Sequence, residues 1–242
     1  MNNKNIIVVQ NLIRILDLAS LKNPDVVANL VRAFGIVHWG APVFGNDEPF
    51  KNPTPDMAGI YQTPPQIAKA LVYLSDFEVK TYLEVGVFQG GNFLFVSEYL
   101  RRFNPNIRCI GIDPTGYMNS EIIHIIEKEI WISFKSINSD HIAGQAFDLV
   151  FIDGDHSAEW INKDWDNVGK QAKICMIHDI QEPSCPDVPV FWNKLKVKKK
   201  TAEFLDYSGA EVSQGIGVIH NDDRTPPELS HTRKIKEGMV PA

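Results

Sequence analysis

Tyr82-Leu83-Glu84-Val85-Gly86-Val87-Phe88-Gln89-Gly90-Gly91 is the stretch whose reading sets the fold. An apolar run carrying one acid enters a glycine-rich turn, and helical spacing follows over residues 91–102. A glycine turn between a strand and a helix lets a ligand approach the backbone closely and meet the helix N-terminus. A dinucleotide fingerprint would place glycines at its first, third and sixth positions. Gly86 and Gly91 meet the first and last of these, but Phe88 holds the third. Glu84, just before the turn, is a poor neighbour for a pyrophosphate and a good one for a cationic ligand.

Outward from this turn, short apolar runs at 81–85, 107–112, 132–137, 147–152 and 174–177 alternate with amphipathic stretches near 91–102, 119–129 and 159–170. Continuous apolar runs are strands buried on both faces, and their alternation with helices predicts a parallel sheet covered on both sides. Residues 66–74 form a predicted helix with proline at its start. Residues 188–195 are predicted helical, and 203–207 with 215–220 a closing β-pair. Upstream, residues 6–34 show two helical stretches broken at Asn23-Pro24. Residues 35–65 are rich in glycine, proline and aromatics, a loop long enough to suggest a substrate cover, with His38-Trp39 as a pocket wall. The chain therefore divides into an N-terminal helical and loop segment (1–64), serving as lid or oligomerisation element, a core (65–220) and a polar tail (221–242).

The bulk numbers fit that division. The 242 residues suit one α/β domain with extensions, and 44% hydrophobic content is enough to bury a core. A net charge of −6 argues against broad nucleic-acid binding, which depends on neutralising phosphates. The 3 cysteines show no paired spacing, as expected in a reducing compartment. Cys109 and Cys175 lie inside strand-like runs. No apolar run is long enough to span a bilayer, so a soluble, cytoplasmic protein is the expectation. Lys194, Lys196 and Lys198 to Lys200 read as a solvated helix end.

Three further places carry candidate chemistry. Asp113 ends the second strand, about twenty residues past the glycines, where an acid can bind ribose hydroxyls. Asp153 follows the fourth strand and His178-Asp179 ends the fifth, so adjacent parallel strands should bring the three together. Two carboxylates and an imidazole suit a divalent metal, although Asp179 as a loop cap and His178 as a packing residue would fit the same sequence. His156 has the titration range of a general base, and a purely structural hydrogen bond would also account for it.

The runs YLEVGVFQGGN (82–92), GIDP (111–114), FDLVFIDGDHS (147–157) and IHDI (177–180), followed by VPVFWNKL (188–195) and GIGVI (215–219), resemble class I S-adenosylmethionine-dependent methyltransferases. The resemblance is to the methyltransferase domain 24 and cephalosporin-hydroxylase-like group, and the chain is also similar to macrolide sugar O-methyltransferases, over about residues 60–220. It implies an α/β, three-layer Rossmann-like fold with a mostly parallel seven-stranded sheet and a reversed last strand. It further implies S-adenosyl-L-methionine as cofactor, with Glu84, Gly86 and Gly90 at its methionine part, Asp113 at its ribose, and Ser139 and Asp140 near its adenine. The implied reaction is methyl transfer to an oxygen of a small molecule, a sugar or natural-product hydroxyl. His156 and Asp153 would be catalytic, and Mg²⁺ or Mn²⁺ would be held by Asp153, His178 and Asp179. In the metal-dependent relatives the fifth strand usually ends in two acids, whereas here the first is His178. Two other readings compete: a non-catalytic cofactor-binding module, and an oxygenase using His156, His178 and one aspartate on Fe(II). The second leaves the glycine turn and Glu84 without a purpose. The apolar N-terminal helices could also pair between subunits.

Overall fold

A computed structural model describes residues 4–36, 59–205 and 214–222. Three helices, α1 (Lys4–Ile15), α2 (Leu18–Leu21) and α3 (Pro24–Phe34), precede α4 (Pro64–Leu74). The core then runs β1 (Thr81–Val85), α5 (Gly91–Phe103), β2 (Arg108–Ile112), α6 (Ser120–Ile126) and β3 (Ile132–Lys135). It continues with β4 (Leu149–Ile152), α7 (Ala158–Asn167), β5 (Ile174–His178), α8 (Asp187–Lys196), β6 (Lys200–Phe204) and β7 (Ile216–His220).

The seven strands form one sheet in the order β3-β2-β1-β4-β5-β7-β6. β1 pairs in parallel with both β2 and β4, whereas β7 runs antiparallel to β5 and β6. The chain is thus a three-layer α/β sandwich with one reversed strand, as expected. Alternating side chains feed two cores. Tyr82, Cys109 and Phe151 join the core beneath α1, α3, α4 and α5, while Leu83, Val150 and Ile177 join the one beneath α7 and α8. Strand order reverses between β1 and β4, and in open α/β sheets ligands collect at the carboxyl ends beside such a reversal.

The N-terminal segment differs in detail from its expectation. Its first helical stretch is broken after Leu16, because the Asp17 carboxylate caps α2 by accepting from Ser20 N at 2.7 Å. Ile6, Val9 and Ile13 of α1 are buried in the main core, and Gln10 donates to the buried Glu98 of α5 at 3.0 Å. The opposite side of α1 leaves Ile7, Val8 and Ile15 exposed. Lys194 and Lys196 close α8 as expected, whereas Lys200 begins β6, an edge strand. Charged residues on such an edge discourage pairing with other chains. Most of the long loop, including His38-Trp39, and the tail beyond Asp222 lie outside the described residues. Among the described residues no helix is long and apolar enough to cross a membrane.

Candidate functional site

A cavity of about 820 Å³ opens at the carboxyl ends of the central strands. Its volume is in the range of small-molecule sites. Glu84, Gly86, Asp113, Ser139, Asp153, His156, His178 and Asp179 all line it.

Asp113 follows β2 and is buried. Its Oδ2 accepts from Phe88 N at 2.8 Å, and its Oδ1 accepts from Thr115 N at 2.8 Å and from the Thr115 hydroxyl. An ionised carboxylate has about four lone-pair positions. Three are therefore engaged in shaping the turn, and a diol would have to share Asp113 with Thr115. Glu84 is fully buried, bonded to the Tyr82 hydroxyl and to Asn92 Nδ2, the latter at 3.2 Å. Burial pushes its carboxyl up to about 8. A cationic group in the cavity would favour its ionised form.

Gly86 lines the cavity, and the space a side chain would take there is filled by protein. Gly86 has φ +86°, and a Cβ there would lie 2.2 Å from Asp153 O and 2.4 Å from Gly154 Cα. The space beside its Cα is filled by the turn after β4, not kept open for a ligand. Gly91 is similarly pressed against Gly59, whose carbonyl oxygen would be 2.1 Å from an added Cβ. At Gly90 a Cβ would point at Met118 and Ile122, and Gly90 is not among the cavity-lining residues. The turn is built of glycine because protein backbone meets protein backbone there.

Also on the cavity wall, Ser139 donates to Asp164 Oδ1 at 2.6 Å. Asp164, from α7, also lines the cavity, and burial raises its carboxyl to about 6. Asp140 does not reach the cavity. It is exposed, accepts from Asn167 Nδ2 at 2.9 Å and lies 3.4 Å from Lys163 Nζ. The turn Ser139–Ile142 aims one neighbour inward and the next outward.

Asp153, His178 and Asp179 do converge. His178 Nδ1 is hydrogen-bonded to Asp153 Oδ1 at 3.0 Å and lies 3.3 Å from Asp179 Oδ1. Burial alone would strip the imidazole of its proton, but the charges of Asp153 and Asp179 raise His178 well above the usual range. Burial acts upward on Asp153, yet His178 and His156 outweigh it and hold the carboxyl at about 2. Asp179 has φ +59° and a buried side chain. His156 Nε2 lies 3.2 Å from Asp179 Oδ2 and 3.8 Å from Asp153 Oδ1, and its Nδ1 is 3.2 Å from Cys185 Sγ. Burial pushes the Cys185 thiol up to about 11.

Several contributors escaped the sequence reading. Gln62 donates to Asp153 Oδ2. Gln214, from the segment before β7, accepts from Thr63 N at 2.9 Å and donates to Tyr61 O at 2.8 Å. Segment 59–63 is thereby tied across the cavity. Its composition carries no signal of this, since the partners are separated by 91 and 151 residues.

No family model matches the chain, and no curated protein matches it. Among solved structures it is similar to the CMeT domain of the citrinin polyketide synthase, at TM-score 0.52 and 12% identity over 67% of this chain and 54% of that one. Also similar are the S-adenosylhomocysteine-bound Podospora anserina methyltransferase PaMTH1 (TM-score 0.49, 14% identity, 67% of this chain and 80% of that one) and the O-methyltransferase TomG from Streptomyces achromogenes (0.49, 14%, 67% and 82%). The first of these likenesses shows a shared fold, a three-layer α/β sandwich around a mostly parallel sheet.

Proposed function

We propose that this protein transfers a methyl group from S-adenosylmethionine to a hydroxyl of a small molecule, such as a sugar or natural product. The observation that carries the reading is one cavity bordered by Glu84 within β1 and by Asp113 at the tip of β2. A buried carboxyl bonded only to the neutral Tyr82 and Asn92 among the described side chains, and an acid beside a glycine turn, suit the amino group and the ribose of such a donor. When bound, the donor supplies the methyl group. The chain supplies position: reacting atoms held in line account for much of the rate of such a displacement. Glu84 and Asp113 hold the donor's two ends, and Ser139 borders the part of the cavity left for adenine. His156, on the cavity wall, accepts the hydroxyl proton. Asp179 at 3.2 Å and Asp153 at 3.8 Å then stabilise the imidazolium.

Asp153, His178 and Asp179 do not fit an Mg²⁺ or Mn²⁺ ion well. Such ions favour oxygen donors in octahedral array, and the His178 proton already bridges toward both carboxylates at 3.0 and 3.3 Å. No step is assigned to a metal there. The small-molecule acceptor enters a cytoplasmic enzyme in this reading, and the exposed apolar side of α1 supports pairing between two copies.

Titration calorimetry with S-adenosylhomocysteine tests the proposal. Wild type should bind it, and Asp113→Ala should lose roughly 1.5–3 kcal/mol, the value of hydrogen bonds to a charged acceptor. Failure of wild type to bind would sink the methyltransferase reading. Equal affinity in both proteins would remove Asp113 from the ribose role.

A further inference from the structure

We propose that His156, Asp179 and Cys185 form a binding site for a thiophilic divalent cation of the Zn²⁺ class, distinct from the Asp153–His178 pair. Three elements bring the donors together: the turn after β4, the end of β5 and the loop before α8. One ligand atom from each lies within 4.8 Å of the others. Cys185 Sγ is 3.2 Å from His156 Nδ1 and 3.8 Å from Asp179 Oδ2, and Asp179 Oδ2 is 3.2 Å from His156 Nε2. Zinc–sulfur and zinc–nitrogen bonds of about 2.3 and 2.0–2.1 Å at a tetrahedral angle set ligand atoms about 3.3–3.6 Å apart. An ion takes one imidazole nitrogen; with His156 Nε2 in that role, its 3.2 Å to Asp179 Oδ2 and the 3.8 Å from that oxygen to Cys185 Sγ bracket the range, and the sulfur has to swing away from Nδ1 to complete the set.

A second observation points the same way. His156 Nε2 is buried and makes no aligned hydrogen bond, although Asp179 stands 3.2 Å away. Asp179, with only 8% of its side chain exposed, turns Oδ1 toward His178 and leaves Oδ2 facing His156 and Cys185. Buried polar atoms are nearly always hydrogen-bonded, and those that are not call for an explanation. The Asp153–His178 contact differs, being an aligned hydrogen bond at 3.0 Å. The Cys185 thiol hydrogen-bonds to His156 Nδ1 and Asp179 Oδ2, so the three donors share one proton that a cation would replace. The donor set of one sulfur, one nitrogen and one oxygen selects against Mg²⁺, which favours oxygen ligands.

Binding forms a sulfur–metal bond as the thiol proton leaves to solvent, since a coordinating thiol is deprotonated. All three side chains belong to residues on the cavity wall, so a bound ion would sit beside the acceptor's space. One consequence rests on the function proposed above: an ion on His156 takes the lone pair that would accept the hydroxyl proton, so the ion acts as a brake on methyl transfer.

The test is a Co²⁺ titration of the full-length protein, read by absorption. Wild type should show a thiolate-to-cobalt charge-transfer band that saturates at one ion per chain, is bleached by Zn²⁺ and resists excess Mg²⁺. Cys185→Ser should lose the band and weaken binding at least about tenfold, because even outer partners of metal ligands are worth that much. Cys185→Ala serves as a second variant, with melting curves as the fold control for both. A wild-type protein without the band at saturating Co²⁺, or a band that persists in both variants, overturns the proposal. Cys109 and Cys175 are buried inside β2 and β5, so neither can stand in for Cys185. Binding of S-adenosylhomocysteine is read separately, so failure of the nucleoside site and failure of the cation site give different results.

Discussion

Replacing Gly86 by alanine separates two explanations of the glycine turn. If the glycine keeps room for a ligand, the variant should fold normally and lose only binding. The structure says otherwise. The residue has φ +86°, where a side chain costs about 1–2 kcal/mol. The added methyl would lie 2.2 Å from Asp153 O and 2.4 Å from Gly154 Cα, both main-chain atoms that cannot rotate away. Overpacking of this kind costs about 1–3 kcal/mol. Together the two effects remove about 2–5 kcal/mol, a large share of the roughly 5–15 kcal/mol that holds a domain folded. For a chain of this size each kcal/mol shifts the melting temperature by about 2–4 °C. A fall of roughly 4–20 °C is therefore expected, measured by circular dichroism without any ligand. A variant that melts within about 2 °C of wild type and fails to bind S-adenosylhomocysteine would refute the packing argument.

Other substitutions probe the same framework. Asp164→Asn should stabilise the protein above pH 6 and do little near pH 4. Burial raises the folded-state carboxyl to about 6, so ionising it costs the native state stability as pH rises from the unfolded value. The gain, from melting curves at the two pH values, should be at most about 3 kcal/mol. Equal effects at both pH values would show that the carboxylate is not strained by burial. Asp148→Ala should cost about 2–4 kcal/mol in a denaturant titration, since it orphans Lys80 N and Thr81 N, bonded at 2.8 and 3.0 Å. Burial acts upward on Asp148, but Lys173 and those amides hold its carboxyl below the usual range. The wild-type advantage should therefore be complete above about pH 4 and fade as pH falls further, whereas a constant advantage would contradict the assignment.

What could be read in the sequence follows from physics that acts locally. β1 and β5 are continuous apolar runs buried on both faces, and no competing pattern obscures them. Asp113, Asp153 and Asp179 could be placed because the first residues after parallel strands must emerge at one edge. The same logic placed Ser139 on the cavity but not Asp140, because a short turn decides which neighbour faces inward. Gly86 falls on the cavity wall as its motif implies, but a sequence does not reveal that Asp153 and Gly154 back onto it and demand glycine for packing as well. Gln62, Cys185 and Gln214 carried no local signal at all. Each reaches the cavity from an irregular segment whose position depends on the finished sheet.

Among the described residues β7 is the last strand, yet it lies inside the sheet between β5 and β6. During synthesis β5 therefore presents an open apolar edge, and β6 has nothing to pair with, until residues 216–220 emerge. At roughly 5–20 residues per second, the interval between His178 and His220 is roughly 2–8 seconds. The roof over the cavity waits as well, because Gln214, which fastens Thr63, arrives with the same strand. An unpaired strand edge invites association with other chains. Damage to β7 should accordingly show first as poor yield from the ribosome and as inclusion bodies, before any loss of stability in the molecules that finish folding.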